Sequence, residues 1–113
     1  MKGQDLTPFI TGNRLVELMR EYDKDEPGIS SSKVNLVRVG VFLAYVTGVY
    51  DAMSFAFSTP DGVTVGQIRA IVSKYLKNHP ERWPESADLL VVEALRESFP
   101  LKKLSYNKEL QII

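Results

Sequence analysis

The chain has 113 residues, of which 44% are hydrophobic and 25% charged, so one soluble-type domain with a modest core is expected over residues 1–113. Fourteen basic residues balance fourteen acidic ones, which provides no global field for nucleic acid or an anionic membrane. There is no cysteine, so disulfides, thiolate metal sites and a cysteine nucleophile are excluded.

The opening "MKGQDLTPFITGN" lacks the apolar run of a signal peptide. The first predicted helix is "TGNRLVELMREY", with Leu15, Leu18, Met19 and Tyr22 at helical spacing and Thr11 or Asn13 as its cap. "DKDEPGISSSK" follows as a breaker-rich, acidic linker.

A long helix is predicted from about Lys33 to Phe57. Twelve mostly apolar residues, Val39 to Tyr50, precede Asp51, whereas a membrane span needs about 20. Reaching that length would enclose a carboxylate, which costs roughly 2.5–3.5 kcal/mol on insertion scales. A buried helix is therefore expected, with no membrane span. Gly40, Ala44, Gly48, Ala52 and Ala56 recur every fourth residue and suggest close packing against a second helix, with Gly48 a structural residue. Thr47, Asp51, Ser54 and Ser58 form a polar row, and Asp51 reads as a hydrogen-bonded core aspartate.

"STPDGVT" is a predicted turn in which Gly62 permits the reversal. Thr64 and Gln67 have capping-box spacing and open a helix facing inward with Val65, Ile68, Val72, Tyr75 and Leu76. Pro80 ends that helix near Asn78. "HPERWPESA" is a second rigid loop, and Pro84 suits the first turn of a last helix. Its expected inner face is Ala87, Leu90, Val91, Ala94, Leu95 and Ser98. The tail "LKKLSYNKELQII" reads as an extended arm or a further short helix. The predicted fold class is all-α: about four helices around one core.

The residues indicate little chemistry. His79 is the single histidine, beside a proline, and reads as an exposed loop residue rather than a base. No metal-ligand spacing, phosphate-binding glycine loop or nucleophile elbow is present. No cofactor is implied, and no catalytic residue is assigned. Trp83 and Arg82 are residue types enriched at binding hot spots, although a sole tryptophan in a short loop more usually covers the helix ends.

The string "AYVTGVYDA" at residues 44–52, followed by "PDGVTVGQIRAIVSKYLKNHPERWPESADLLVVEALRESFP" at 60–100, resembles the Rap/Tai immunity-protein family. The matching positions are Ala44, Tyr45, Gly48, Asp51 and Ala52, then Pro60, Gly62, Val63, Thr64, Gly66 and Gln67. Tyr75, Leu76, His79, Pro80 and Glu81 follow, and then Ala87, Ala94, Phe99 and Pro100. "FITGNRLVEL" resembles the family's opening segment, so the family-like core spans about 9–100, with an extra tail at 101–113.

The resemblance implies a small helical protein, exported to the periplasm and often a homodimer. It would bind a cognate type VI secreted peptidoglycan amidase effector and obstruct its active site, without being an enzyme. A cell-envelope structural or adaptor protein of the same fold is the alternative. The family's usual cysteines align here with Phe42, Ser58 and Leu101, so its staples are absent. Partner contacts are expected on exposed loops. The candidates are Asp61 in the turn, His79, Glu81, Arg82 and Trp83 in the second loop, and Asp23, Asp25 and Glu26 in the acidic linker.

Overall fold

A computed structural model describes residues 8–24 and 35–101. Helix α1, Gly12–Lys24, starts where Thr11 turns its hydroxyl oxygen toward the amide of Arg14, at 3.4 Å. Leu15, Val16, Leu18 and Met19 face inward, the spacing that places one stripe of a helix on the core. The start of α1 is fastened to the loop ahead of α4. Gly12 N–H donates to Glu85 O at 2.8 Å, Asn13 N–H to Trp83 O at 2.7 Å, and Ala87 N–H to Ile10 O at 2.9 Å. A Cβ on Gly12 would lie 2.5 Å from Leu90 Cδ1 and 2.6 Å from Trp83 O, so only glycine fits this approach.

Helix α2, Leu36–Met53, is capped by Asn35, whose side chain accepts from Arg38 N–H at 3.2 Å. Asn35 N–H in turn donates to Glu21 Oε1 at 2.9 Å, joining α2 to α1. That bond, together with Lys24, holds the Glu21 carboxyl below its usual range. Val39, Phe42 and Val46 are the buried residues of α2, and Phe42 packs on Tyr22 with ring centroids 5.0 Å apart. A single 3₁₀ turn, Ser54–Ala56, ends the run, and Phe57 then buries itself against Tyr50.

The small-residue stripe of α2 does not do what its spacing suggests. Gly40, Ala44, Gly48 and Ala52 are exposed, and a Cβ on Gly40 or Gly48 would meet nothing within 4 Å. Gly48 therefore sets no helix-to-helix distance among the described residues. The reason is area: burying a Val or Phe side chain stabilises by about 1.5–3 kcal/mol, and glycine and alanine offer little to bury. Val39, Phe42 and Val46 take the core and turn the small stripe outward. Asp51 lies on that outward side, exposed, and is not a core aspartate. Leu36–Ala56 is long and apolar enough to cross a bilayer by length and composition, and only 17% of its most apolar window is buried. The helix is a half-buried wall, not the buried centre of a bundle.

Gly62 adopts φ 90° in the turn after Pro60, the one left-handed position among the described residues. Thr64 and Gln67 then form a capping box: Gln67 N–H donates to Thr64 Oγ1 at 3.1 Å, and Thr64 N–H to Gln67 Oε1 at 2.8 Å. Helix α3, Val65–Asn78, buries Ile68, Val72, Ser73, Tyr75 and Leu76. Val65 points outward, because it stands at the first position, before the helix meets the core.

A 3₁₀ turn, Pro80–Arg82, leads to α4, Ala87–Ser98. Pro84 lies in the turn before the helix and not in its first turn; Ser86 and Asp88 organise the start instead, with Leu89 N–H donating to Asp88 Oδ1 at 2.7 Å. Leu90, Val91, Ala94 and Leu95 are buried, while Ser98 is exposed at the last position of the helix. Beyond it, Ser58 N–H donates to Phe99 O at 2.9 Å, tying the exit of α2 to the exit of α4. The four helices share one core in which Leu15, Leu18, Phe42, Leu76, Leu90 and Leu95 are fully enclosed.

Candidate partner-binding surface

The loop from His79 to Ser86 closes one end of the molecule, and its side chains are largely occupied. Arg82 grips Glu85 through two parallel bonds, Nε to Oε2 at 3.0 Å and Nη2 to Oε1 at 2.8 Å. Its Nη1 donates to the Tyr75 hydroxyl at 2.5 Å. This bidentate geometry is the strong form of the arginine–carboxylate pair. It pushes the guanidinium pKa up and holds the Glu85 carboxyl below its usual value.

Trp83 donates from Nε1 to Leu76 O at 2.7 Å, which satisfies a carbonyl in the last turn of α3. The Arg20 guanidinium sits 5.6 Å from the indole centroid, a cation–π distance. Trp83 thus links α1 to α3, the helix-end covering role. His79 is half-buried, not exposed. Its ring stacks on Tyr75 with centroids 4.0 Å apart, and Nδ1 lies 2.8 Å from Tyr75 O. A carbonyl only accepts, so Nδ1 carries the proton and Nε2 faces away from that bond.

Asp23 is half-buried between α1 and α3. It accepts from Ser73 Oγ at 3.3 Å and pairs with Lys77 Nζ at 2.9 Å. Glu81 and Asp61 are exposed. Asp25 and Glu26 lie outside the described residues.

The loop and α3 therefore gather most of the candidates at one end. A groove of about 540 Å³ runs between the C-terminal ends of α3 and α4, lined by Tyr75, His79, Glu93, Arg96, Glu97, Pro100 and Leu101. A second hollow of about 300 Å³ shares Tyr75, His79 and Glu97 with it and adds Lys74 and Asn78. Lys74 and Asn78 also border the Asp23–Lys77 pair. Asp61 stands apart, because α3 places it about 20 Å from His79 along the helix. Sequence reasoning missed Glu93, Arg96 and Glu97. Their one signal is that they fall on the outward side of α4, which a periodicity reading assigns to solvent.

His79 is tied through Nδ1, and Arg82 is held by Glu85. Among the described residues no cluster of three His, Asp or Glu side chains could hold a metal ion. Fold and surface together describe a small helical protein with an open groove lined by charged side chains at the C-terminal ends of α3 and α4. Its sequence matches the family described as Rap1a immunity proteins over residues 11–101, and the chain belongs to that family. The matched span begins at the Thr11 cap of α1 and ends just beyond Pro100. No curated protein matches the chain.

Proposed function

We propose that this protein is a periplasmic, non-enzymatic immunity protein that binds a type VI secreted peptidoglycan amidase and obstructs its active site, acting as a homodimer. The observation that carries the reading is membership of the immunity family across nearly the whole described chain. The contact surface is the end of the molecule built from the His79–Glu85 loop and the α3–α4 groove. Its residues are His79, Glu81, Arg82 and Trp83, with Asp23 at the margin; Asp61, at the far end of α3, would contact a partner only if it reached that far. Asp25 and Glu26 extend the acidic stretch beyond Asp23.

The internal bonds of that loop favour an inhibitor. A surface already held by Arg82–Glu85 and Trp83–Leu76 loses little conformational freedom when it docks, which lowers the cost of binding. Glu93 in the groove and the exposed Glu81 in the loop beside His79 offer carboxylates for a complementary cleft. The test is a cell-wall hydrolysis assay with a candidate type VI secreted amidase. Stoichiometric addition should abolish hydrolysis, and Glu81→Lys should restore it while the thermal melt is unchanged. Undiminished hydrolysis at excess protein overturns the inhibitor reading for that pair.

A further inference from the structure

A hollow of about 660 Å³, larger than the α3–α4 groove, has no role in the reading above. It opens between the exit of α2 and the exit of α4. Five hydroxyl groups line it: Tyr50 in α2, Ser54 in the 3₁₀ turn, Ser58 and Thr59 in the segment beyond, and Ser98 at the end of α4. Phe57 and Phe99 add aromatic surface, with Pro60 and Pro100 beside them. No charged side chain of a described residue takes part. That lining selects a kind of ligand. A hydroxyl both donates and accepts, and it rotates to suit its partner. A wall of hydroxyls therefore matches a ligand whose own polar groups do the same. A phosphate, carboxylate or ammonium group would leave water and meet no opposite charge. An uncharged sugar has both surfaces the hollow asks for, hydroxyls around its rim and C–H groups on its faces to lie against the rings. The volume agrees, since small-molecule sites are about 300–1,000 Å³.

Two further observations point the same way. Thr59 Oγ1 is enclosed and has no hydrogen-bond partner among the described residues. Such orphans are rare in folded proteins, and a polar group seated in the hollow is the one from outside the chain best placed to pair with it. The walls are also fixed before any ligand arrives. Ser58 N–H donates to Phe99 O at 2.9 Å, and Phe99 N–H to Leu95 O at 2.8 Å. Tyr50 packs on Phe57 with ring centroids 5.3 Å apart. Pro60 and Pro100 restrict the backbone on either side. A preformed site loses little freedom on binding, which matters for a ligand held by neutral hydrogen bonds alone.

We propose that this hollow binds an uncharged sugar ring of a glycan. Such a site holds the protein on a polysaccharide, a role that goes beyond toxin inhibition and does not depend on it. The probes are chitotetraose, a neutral N-acetylglucosamine tetramer, and maltotetraose, a neutral glucose tetramer. Titrated into the isotope-labelled full chain, at least one should shift the amide resonances of residues 50–59, 98 and 99 and saturate at one ligand per chain. The glucosamine tetramer in its protonated form has the same length but carries ammonium groups, and it should leave those resonances in place.

Ser54 is exposed, so its substitution leaves the core alone. Ser54→Leu removes a hydroxyl and fills the rim of the hollow, and it should weaken binding by at least about tenfold. Tyr50→Phe keeps the ring on Phe57 and removes only the phenolic hydroxyl; a loss of about two- to tenfold is expected, the range of one hydrogen bond. Both variants should melt with the parent. Saturation by neither neutral tetramer overturns the proposal, as do shifts centred on other residues or shifts of equal size with the protonated glucosamine tetramer. Binding that both variants leave intact overturns it too. The titrations contain no amidase, so a failed inhibition assay leaves them standing.

Discussion

The loop at His79–Ser86 and the outward face of α2 differ in how much of their chemistry is already used. The loop holds the residue types that recognition favours, Trp and Arg, yet these bond to Leu76, Tyr75 and Glu85 of the same chain. The face of α2 holds glycine, alanine and valine, and nothing among the described residues packs over Gly40 or Gly48. Residue type alone would rank the two regions the other way. A polar side chain with a satisfied internal partner contributes rigidity, whereas an apolar face exposed to water retains free energy to be gained by covering it.

The sharpest way to break this contrast is at two glycines. Gly12→Ala drives a Cβ into Leu90 and the Trp83 backbone, atoms that are fixed by the core and by the Asn13–Trp83 bond. Overpacking of this kind costs about 1–3 kcal/mol, and the upper end is expected, since backbone cannot rotate away. Thermal unfolding should show a fall of more than about 10 °C. Gly48→Ala, measured in dilute protein so that the fold alone is read, should instead gain up to about 1 kcal/mol, the helix preference for alanine. Equal losses at both positions would erase the distinction between a pinned end and a bare face.

A smaller effect is expected at Trp83. Trp83→Phe keeps the ring over α1 but removes the Nε1 donor from Leu76 O, a carbonyl that otherwise has only the longer 3.3 Å bond from His79 N–H. The loss should be about 1–2 kcal/mol by denaturant unfolding. If the loop is held chiefly through this bond, protease cleavage near Pro84 should rise in the same variant. A melt unchanged from the parent would mean that the indole N–H is spare, and therefore available to a partner.

Much of the architecture is legible from residues alone. The Thr64–Gln67 spacing and the prolines at 80 and 100 mark helix ends because capping and ring geometry act locally. The face that α2 presents to the core is not legible in the same way. Both the stripe at 40, 44, 48 and the stripe at 39, 42, 46 are helical spacings, and side-chain area rather than period decides between them. His79 illustrates the same limit in the site. Its bond to Tyr75 O depends on how the chain turns at Pro80, so a lone histidine beside proline reads as exposed until that turn is seen. The Arg82–Glu85 pair was within reach, since residues three apart meet in a helical turn.

That pair yields the smallest expected effect. Arg82 holds the native Glu85 carboxyl below its usual 4.5, chiefly through the bidentate hydrogen bonds. Around that pH the unfolded chain binds more protons at this site than the folded one, so stability rises with pH there. The contribution is full above 4.5 and is lost as the pH falls through the lowered native value. Glu85→Gln removes it at neutral pH, because the amide carries no charge and keeps only one of the two acceptor oxygens that Arg82 uses. The variant should therefore melt below the parent at pH 7, show a flatter dependence as the pH falls below 4.5, and converge with the parent in acid. Exposure and salt both weaken this pair, so raising ionic strength should narrow the gap at pH 7. A gap that persists in acid would mean that the substitution acts through the amide N–H it sets against the Arg82 guanidinium and not through the lost charge, because the backbone bond from Gly12 N–H to the residue 85 carbonyl is the same in both proteins.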